Sequence, residues 1–528
     1  MHFRLLLVVA GALAILPLHA DGASPDLPQP PALFAPATAR SAYSTNDAAV
    51  TRSQAVTVRL DLLPATGQQA SRVRLDLFGT SVVADLSRGV SAGGQTTNWQ
   101  GPLEGIAGSY VGLTADADAV AGTIDLAGAL YRLSPATGGT QLLEQLQPGA
   151  FPPDGPPVPV PGDGPGSQAD TTTAVGGPVI DVLVVYTPAA RVGAGGATGI
   201  IATIAEGISE SNIAYANSGV TQRVRLVHTA EVNYVESGAG QTELARLRDP
   251  ADGYLDDVPG IRDQYGADLV VLVDETLDNP PECGRAYEMS TPSASFASSA
   301  FAVVKRTCIT GQYSLTHEMA HNMGASHDRN TGCSGAYTYS CGYQDPVNRF
   351  RTMMAYDCPV SCPRVLYFSN PAVTYLGLPT GAADNLPNAA DNARTLNNTA
   401  AIVSNFRPSI FGVALAFNST PPATTAGSGF TVQVAVRNSA NAMVVADQST
   451  VVTLGVAFGP SGLVCDGASA HPVENGVATF TNCRLSANGL YELTATADLP
   501  MTPATSAAIS VGAFRVPVAL VASDSGVG

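Results

Sequence analysis

Residues 317–328 carry a run of histidines whose spacing is typical of a catalytic metal site. The histidines of the run are His317, His321 and His327. The first two are four residues apart, and on a helix this spacing places both imidazoles on one face, where they can share one metal ion. Three protein ligands leave a fourth position open for water, which distinguishes a catalytic zinc site from a structural one.

Two further residues of the run complete the chemistry of a hydrolytic site. Glu318 directly follows the first candidate ligand, where its carboxylate can take a proton from the attacking water. Gly324 is placed to end the helix with a positive φ, so that the chain can turn and return His327 to the metal. The chain has 7 histidines, and 3 of them fall in this run, which argues against histidines scattered over the surface.

The long form of the motif resembles the signature of the metzincin metallopeptidases. That signature includes a methionine turn downstream, and residues 352–356 (Thr-Met-Met-Ala-Tyr) resemble it, with Met354 as the floor beneath the zinc ligands. Asp328 resembles the reprolysin (adamalysin-like) branch, where this residue anchors the fold by hydrogen bonds. Tyr356 occupies the position of a tyrosine that is a zinc ligand or transition-state stabiliser in some metzincins and a structural residue in others.

The resemblance covers about residues 180–407 and includes secreted bacterial reprolysin-like peptidases of the peptidyl-Asp type. Besides the zinc motif it rests on residues 181–188 and 214–220. It implies an α/β metzincin-like catalytic domain that holds one zinc ion and cleaves protein or peptide substrates. It also implies that arginines near the methionine turn line the S1′ pocket and favour an acidic substrate residue, unless they are ordinary surface arginines. The candidates are Arg349, Arg351 and Arg364.

The first twenty residues read as an export signal. Arg4 precedes an apolar stretch over residues 5–18. A membrane anchor is the alternative, but the stretch is short for a span, and no later segment suits stable membrane insertion. All 8 cysteines lie after residue 280, and an even number in an exported chain predicts four disulfides. We expect Cys465 to pair with Cys483, whereas the pairing of the six cysteines around the motif stays open.

Charge and length limit the function classes and the number of domains. The formal net charge is −17, from 26 Lys plus Arg against 43 Asp plus Glu. A nucleic-acid-binding protein needs a basic surface, so nucleic-acid partners are not expected. At 528 residues the chain is too long for a single hydrophobic core, and we expect three domains.

The first domain, residues 24–146, is predicted to be rich in β-strands. Residues 56–62 and 72–78 alternate apolar and polar side chains with the period of a half-buried strand. Its place before the zinc motif suggests an inhibitory propeptide, with a separate binding module as the alternative. No cysteine precedes Cys283, so this domain cannot inhibit the enzyme by placing a thiolate on the zinc ion.

A Pro/Gly-rich linker, residues 147–177, should follow as an extended, exposed tether in which maturation cleavage occurs. The catalytic domain is expected over residues 178–410. Its strands include the apolar run 179–186, and residues 301–304 are expected to be the sheet edge that pairs with substrate backbone. The motif helix should run over residues 314–323, with Ser314 as its N-cap. A helix is also expected over 200–217, and a closing helix over 390–406.

Residues 411–528 show short, spaced, alternating strands and one cysteine pair, which is typical of an immunoglobulin-like β-sandwich. Such a domain would contact a cell surface or carbohydrate, or serve as a spacer.

The sequence therefore predicts a secreted zinc metalloendopeptidase made as a proenzyme, with Glu318 as general base. The alternative is a surface adhesion protein whose zinc domain is a scaffold, and Glu318 argues against it because a scaffold does not need this carboxylate. A zinc amidase is a third hypothesis, against which the long motif and the methionine turn argue. Calcium is plausible in such a protein, but no Asp-x-Asp-x-Asp-Gly loop is present to place it.

Overall fold

A computed structural model describes most of the chain between residues 29 and 512. The described residues are 29–37, 47–65, 68–89, 96–160, 178–419, 423–438, 440–445, 447, 450–467, 469–498 and 501–512. The expected export signal therefore lies outside them, as does the second half of the expected linker. The multidomain, strand-rich organisation predicted from the sequence is confirmed, because three strand-bearing regions each enclose a separate cluster of buried apolar side chains.

The N-terminal region is one antiparallel sheet of nine strands. The strands are β1 (Phe34–Pro36), β2 (Val50–Val58), β3 (Ser71–Leu77), β4 (Thr80–Arg88), β5 (Thr97–Gly101), β6 (Tyr110–Asp116), β7 (Ala119–Asp125), β8 (Leu130–Pro135) and β9 (Gln141–Leu146). Their order in the sheet is β1-β2-β9-β8-β7-β6-β5-β4-β3. Alternate residues of β3 are buried and part-exposed, as the sequence period predicts for a strand with one face on a core.

The central region combines a six-stranded sheet with helices. Its strands are β10 (Val158–Val160), β11 (Val179–Tyr186), β12 (Arg223–Glu231), β13 (Leu269–Asp274), β14 (Gly284–Met289) and β15 (Phe301–Lys305). Its helices are α1 (Pro188–Gly193), α2 (Ala197–Asn217), α3 (Gly240–Arg248), α4 (Val258–Tyr265), α5 (Ser314–Asn322) and α6 (Asn392–Val403). The helices predicted over the motif, over residues 200–217 and at the end of the domain are thus confirmed.

The strand order in this sheet is β10-β14-β15-β13-β11-β12. Strand β11 is buried along its whole length because parallel neighbours, β12 and β13, pair with both of its edges. The prediction that residues 301–304 form the sheet edge is wrong. Strand β15 lies inside the sheet, and β14 pairs antiparallel with it on the outer side. The sequence did not reveal β14 because its residues, Gly-Arg-Ala-Tyr-Glu-Met, show no clear strand period.

Short strand pairs continue the chain around α5. They are β16 (Ser326–Asp328) with β17 (Cys341–Gly342), β18 (Gln344–Asp345) with β19 (Phe350–Arg351), and β20 (Thr374–Tyr375) with β21 (Leu378–Pro379). Because these strands are short, disulfides and side-chain packing must hold this part of the chain in place. Cys333 pairs with Cys341, Cys358 with Cys362, and Cys283 with Cys308, so all six cysteines near the motif are joined.

The C-terminal region has two sheets around one apolar core. The strands are β22 (Ala414–Ser419), β23 (Thr424–Thr425), β24 (Phe430–Arg437), β25 (Val451–Phe458), β26 (Leu463–Val464), β27 (Ala470–Pro472), β28 (Val477–Leu485), β29 (Gly489–Ala497), β30 (Ala504–Thr505) and β31 (Ile509–Gly512). One sheet has the order β22-β24-β28-β26, and the other β23-β31-β29-β25-β27 with β30 beside β29. The predicted disulfide Cys465–Cys483 is confirmed.

The N-terminal sheet packs on helix α2 of the central region. Two glutamates of α2, four residues apart and therefore on one face, are fully buried against strands of the sheet. Thr114 on β6 donates from Oγ1 to Glu206 Oε2 at 2.6 Å, and Thr123 on β7 donates to Glu210 Oε1 at 2.5 Å. The two regions are thus joined by polar contacts as well as by apolar packing.

Candidate active site

The three histidines of the motif converge on one point. His317 and His321 project from α5, and His327 lies on β16. The Nε2 atom of His327 lies 3.0 Å from each of the other two Nε2 atoms, which are 3.2 Å apart. These separations suit nitrogen ligands at about 2.0–2.1 Å from a tetrahedral zinc ion. All three side chains are almost completely buried.

The outer ring nitrogens fix the protonation of two of these imidazoles. His317 Nδ1 donates to the carbonyl oxygen of Met353 at 2.9 Å, and His321 Nδ1 donates to that of Ala325 at 2.9 Å. A carbonyl can only accept, so each Nδ1 carries the proton and each Nε2 offers a lone pair. Burial lowers the pKa of His317 to about 3, so this ring is neutral at physiological pH. The donor set therefore fits zinc.

A glycine turn brings the third histidine back. Helix α5 ends at Asn322, and Gly324 follows with φ at 89°. A Cβ at Gly324 would stand 2.7 Å from the Cβ of Ala336. Both the backbone angle and the close approach therefore require glycine here.

Glu318 directly follows the first of the three histidines and is enclosed by protein. Its side chain is fully buried, and neither carboxylate oxygen has a hydrogen-bond partner among the described residues. Gly284 of β14 lies so close that a Cβ there would stand 2.7 Å from Glu318 Oε1. Burial, and after it the charges of Asp154 and Glu282, raises the pKa of Glu318 well above its ordinary value. A glycine at position 284 leaves the space that this carboxylate occupies.

The methionine turn contacts the first of the three histidines. Met353 and Met354 are fully buried in the same core as α5, and the main chain of Met353 holds His317. Asp328 accepts a hydrogen bond from the backbone nitrogen of Tyr356 at 3.0 Å, which joins the end of the motif to this turn. The Tyr356 ring lies 4.2 Å from that of His327, centroid to centroid. Tyr356 is thus at the site, where its hydroxyl donates to the main-chain oxygen of Asp154 at 2.7 Å.

The segment before the central region enters this site. The sequence predicts an exposed tether over residues 147–177, and this is wrong for its first part. Phe151 and Asp154 are buried, and β10 pairs parallel with β14. The cause is the side chain of Asp154, which accepts from Ser314 Oγ at 2.6 Å and from Arg364 Nη2 at 2.7 Å.

The role expected of Ser314 as N-cap is also wrong. The N-cap residue is Tyr313, which has a φ of 59° and makes no side-chain cap. The Ser314 hydroxyl donates to Asp154 instead.

The three candidate arginines have different surroundings. Arg364 is buried, donates from Nη1 to the carbonyl of Gln312 at 2.7 Å, and reaches Asp154 with Nη2. Arg351 is buried as well, and its guanidinium donates to the main-chain oxygens of Ala355 and Cys362. Arg349 is exposed and contacts only the carbonyl of Ser361 among the described residues. Of the three, Arg364 is the one that meets a carboxylate beside the histidines.

Sequence reasoning did not identify three residues of this site. Asp154 was hidden among prolines that suggested a tether, and Gly284 was hidden in a strand without a period. Glu288 of β14 approaches His321 Nδ1 at 3.5 Å and accepts from Ser334, so it steadies the second ligand. The lone aspartate between two proline pairs was the available signal for the first.

The described residues give no support to a calcium site. His317, His321 and His327 are the only group of three or more His, Cys, Asp or Glu side chains within them that lies close enough to share an ion, so calcium is not supported. Nor does this part of the chain contain a helix with the length and apolarity needed to span a membrane.

Comparison with known proteins agrees with this geometry. The model of metallo-peptidase family M12 matches residues 178–369. A peptidyl-Asp metalloendopeptidase of Xanthomonas campestris pv. campestris is 35% identical over 356 residues, which are 63% of this chain and 82% of that protein. A peptidyl-Asp metalloendopeptidase of Stenotrophomonas maltophilia is 37% identical over 310 residues, 57% of this chain and 71% of that protein.

Proposed function

This chain belongs to metallo-peptidase family M12 and is a zinc metalloendopeptidase, and on that premise we propose which residues perform the reaction. His317, His321 and His327 would hold the ion, and Glu318 would be the general base. The observation that carries this assignment is the convergence of three Nε2 atoms beside a buried carboxylate without a partner among the described residues. Zinc, when bound, supplies a Lewis acid that acidifies water and polarises the scissile carbonyl.

Glu318 moves the protons of the reaction. Its carboxylate takes a proton from the attacking water and later delivers it to the leaving amine. The dry surroundings of this side chain favour proton uptake, since burial stabilises the neutral form. Tyr356 lies against His327 and donates its hydroxyl to a main-chain carbonyl in the cleft, which supports a role in holding the scissile carbonyl.

We propose an acidic residue as the preferred substrate side chain next to the scissile bond. The named relatives are peptidyl-Asp endopeptidases. In this chain a buried guanidinium, Arg364, stands in the site and already binds a carboxylate. The Arg351 donors are used on main-chain carbonyls and on Gln312 Oε1, and its guanidinium pairs with Asp357, so we do not assign it this role.

The chain is made as a secreted proenzyme in this proposal. Residues 1–20 direct export, and the four disulfides support an oxidising compartment. The N-terminal region, residues 24–146, is the propeptide, and a cut within 147–177 removes it. Residues 411–528 form an immunoglobulin-like module that positions the enzyme at a cell surface or on carbohydrate.

The test is casein hydrolysis by the wild-type chain and by Glu318→Ala, with zinc content and the N-terminus of each product measured. We expect a loss of about a hundredfold to ten-thousandfold in activity with zinc retained, which is the scale for removal of the residue that moves the proton. An uncut linker in the variant would further support self-maturation. Equal activity in both proteins would contradict the assignment of Glu318.

A further inference from the structure

Residues 153–160 lie along β14, the outer strand beside the candidate zinc site. The backbone nitrogen of Cys283 donates to the carbonyl of Pro153 at 2.9 Å, and that of Gly155 donates to the carbonyl of Gly284 at 2.7 Å. The segment then continues as β10, where Val158 pairs with Tyr287 in parallel register. It therefore adds a strand to the sheet at the position where a peptide bound by β-augmentation would lie.

The side chain of Asp154 occupies a closed polar pocket. Its carboxylate accepts from Ser314 Oγ on one oxygen and from Arg364 Nη2 on the other, and the residue is only 1% exposed. Arg364 is itself held by the carbonyl of Gln312, so its second donor is aimed at the pocket. Such a charge-assisted pair, closed off from water, discriminates strongly between a carboxylate and a neutral side chain.

The pocket adjoins the metal ligands without being part of them. Asp154 Oδ2 lies 3.8 Å from His317 Nδ1, on the side of the ring away from the shared ligand atom, Nε2. The main-chain oxygen of Asp154 accepts from the Tyr356 hydroxyl at 2.7 Å. Both the side chain and the carbonyl of this one residue are therefore bound by groups of the cleft, as those of a substrate residue would be.

Prolines hold the segment in this shape. Asp154 and Gly155 are preceded by Pro152 and Pro153 and followed by Pro156 and Pro157. Each proline fixes its φ before binding, so little conformational entropy is lost when the segment lies in the cleft.

We propose that Asp154 is an internal substrate mimic, whose carboxylate fills the pocket that selects acidic substrate residues and whose segment keeps the cleft closed. Arg364 and Ser314 are the specificity-determining residues of that pocket. The inference rests on the proposed function, because it assigns the regulation and the side-chain preference of the same site.

The first test measures probe binding, not catalysis, on the full, zinc-loaded chain carrying Glu318→Gln. A fluorescent peptide with one aspartate is titrated against the parent, against Asp154→Asn, and against Asp163→Asn. Residues 163–165 repeat the Asp-Gly-Pro sequence of residues 154–156, so Asp163→Asn is a matched control. We expect Asp154→Asn to bind the probe at least about tenfold more tightly than the parent, and the control to bind like the parent. Equal affinity in all three chains would overturn the proposal.

The second test asks whether the opened pocket selects a carboxylate. In the Asp154→Asn chain, the aspartate probe should bind at least about tenfold better than the same peptide with asparagine, and Arg364→Gln should abolish that preference. A free peptide of residues 151–160 should displace the probe, whereas its asparagine version should not. Equal binding of both probes would overturn the acidic pocket. A chain that binds as expected but, with Glu318 restored, cleaves nothing would instead contradict the proposed function.

Discussion

At two of the places where the N-terminal part of the chain meets the central region, carboxylates are buried. In the cleft, Asp154 faces a guanidinium and a hydroxyl. On helix α2, Glu206 and Glu210 face threonine hydroxyls and an asparagine amide. Within the described residues, neither glutamate has a cationic side chain as a hydrogen-bond or ion-pair partner.

Because the partners differ, the buried acid is charged at one contact and the buried acids are neutral at the other. Burial would raise the pKa of Asp154, but the charge of Arg364, together with the neighbouring His317 and the hydrogen bonds from Ser314 and Arg364, outweighs it and holds the pKa well below its ordinary value. Burial raises the pKa of Glu206 to about 8 and that of Glu210 well above its ordinary value. The same depth of burial thus favours a charged acid at one contact and neutral acids at the other, and the partner decides which.

Their pH dependence has different signs. The contribution of Asp154 is fully present above its ordinary pKa and is lost only as the pH falls below that value. Docking at Glu206 takes up a proton, so that contact is strongest in acid and weakens as the pH rises from the ordinary glutamate value toward about 8. Between the ordinary glutamate pKa and about pH 8, the free energy of the cleft contact stays constant while that of the α2 contact becomes less favourable.

The largest expected effect comes from removing the cation. Arg364→Met leaves Asp154 buried without a charge partner, and such a loss costs about 3–5 kcal/mol. We would measure the dissociation constant of the N-terminal fragment from the rest of the chain, after a cut at an engineered site within 161–177 of a Glu318→Ala chain. The double variant Asp154→Asn with Arg364→Met should recover part of the loss, since no bare charge remains. An unchanged dissociation constant in Arg364→Met would show that the ion pair contributes nothing to docking.

The pH dependence itself is the next largest effect. In the same nicked chain, the affinity of the two fragments should fall between pH 6 and 8 by up to about 1.4 kcal/mol per pH unit for each proton taken up. Glu206→Gln cannot ionise and should remove about half of this slope, because Glu210 still takes up its proton. Glu206→Gln combined with Glu210→Gln should flatten the dependence, whereas Asp154→Asn should lower affinity at every pH without changing the slope. A slope unchanged in the double variant would contradict this prediction and assign the titration to another group.

The smallest effect compares two hydroxyl donors. Ser314→Ala removes a hydrogen bond to a charged carboxylate and should cost about 1.5–3 kcal/mol of docking free energy, whereas Thr123→Val removes one to a neutral carboxyl and should cost about 0.5–1.5 kcal/mol. Both dissociation constants would be measured at pH 6, where the two charge states differ most clearly. A larger loss for Thr123→Val would contradict the assignment of a neutral Glu210.

Local patterns in the sequence were enough to predict the histidine run, the helix that bears it and the turn at Gly324. Each depends on neighbours within a few residues, through the period of α5 and the backbone freedom of glycine. The contacts of the Asp154 side chain could not be predicted in this way, because its partner Arg364 is 210 residues away in the chain. The position of β14 between β10 and β15 likewise depends on pairing with distant strands, which no period within residues 284–289 reveals.

Asp154 and the two strands whose threonines contact α2 precede residues 161–177 in the chain, whereas α2 and Arg364 follow them. One cut within this range therefore separates both contacts from their partners, and that affects how activation would depend on concentration. While the chain is intact, the segment at Asp154 competes as an intramolecular ligand, at an effective concentration on the order of millimolar for a short tether. A single cut turns it into an ordinary bimolecular ligand, although the α2 contact still holds the fragment as the second site of a bivalent inhibitor. Cleavage alone would then leave most molecules inactive in a concentrated solution, and dilution would complete their release.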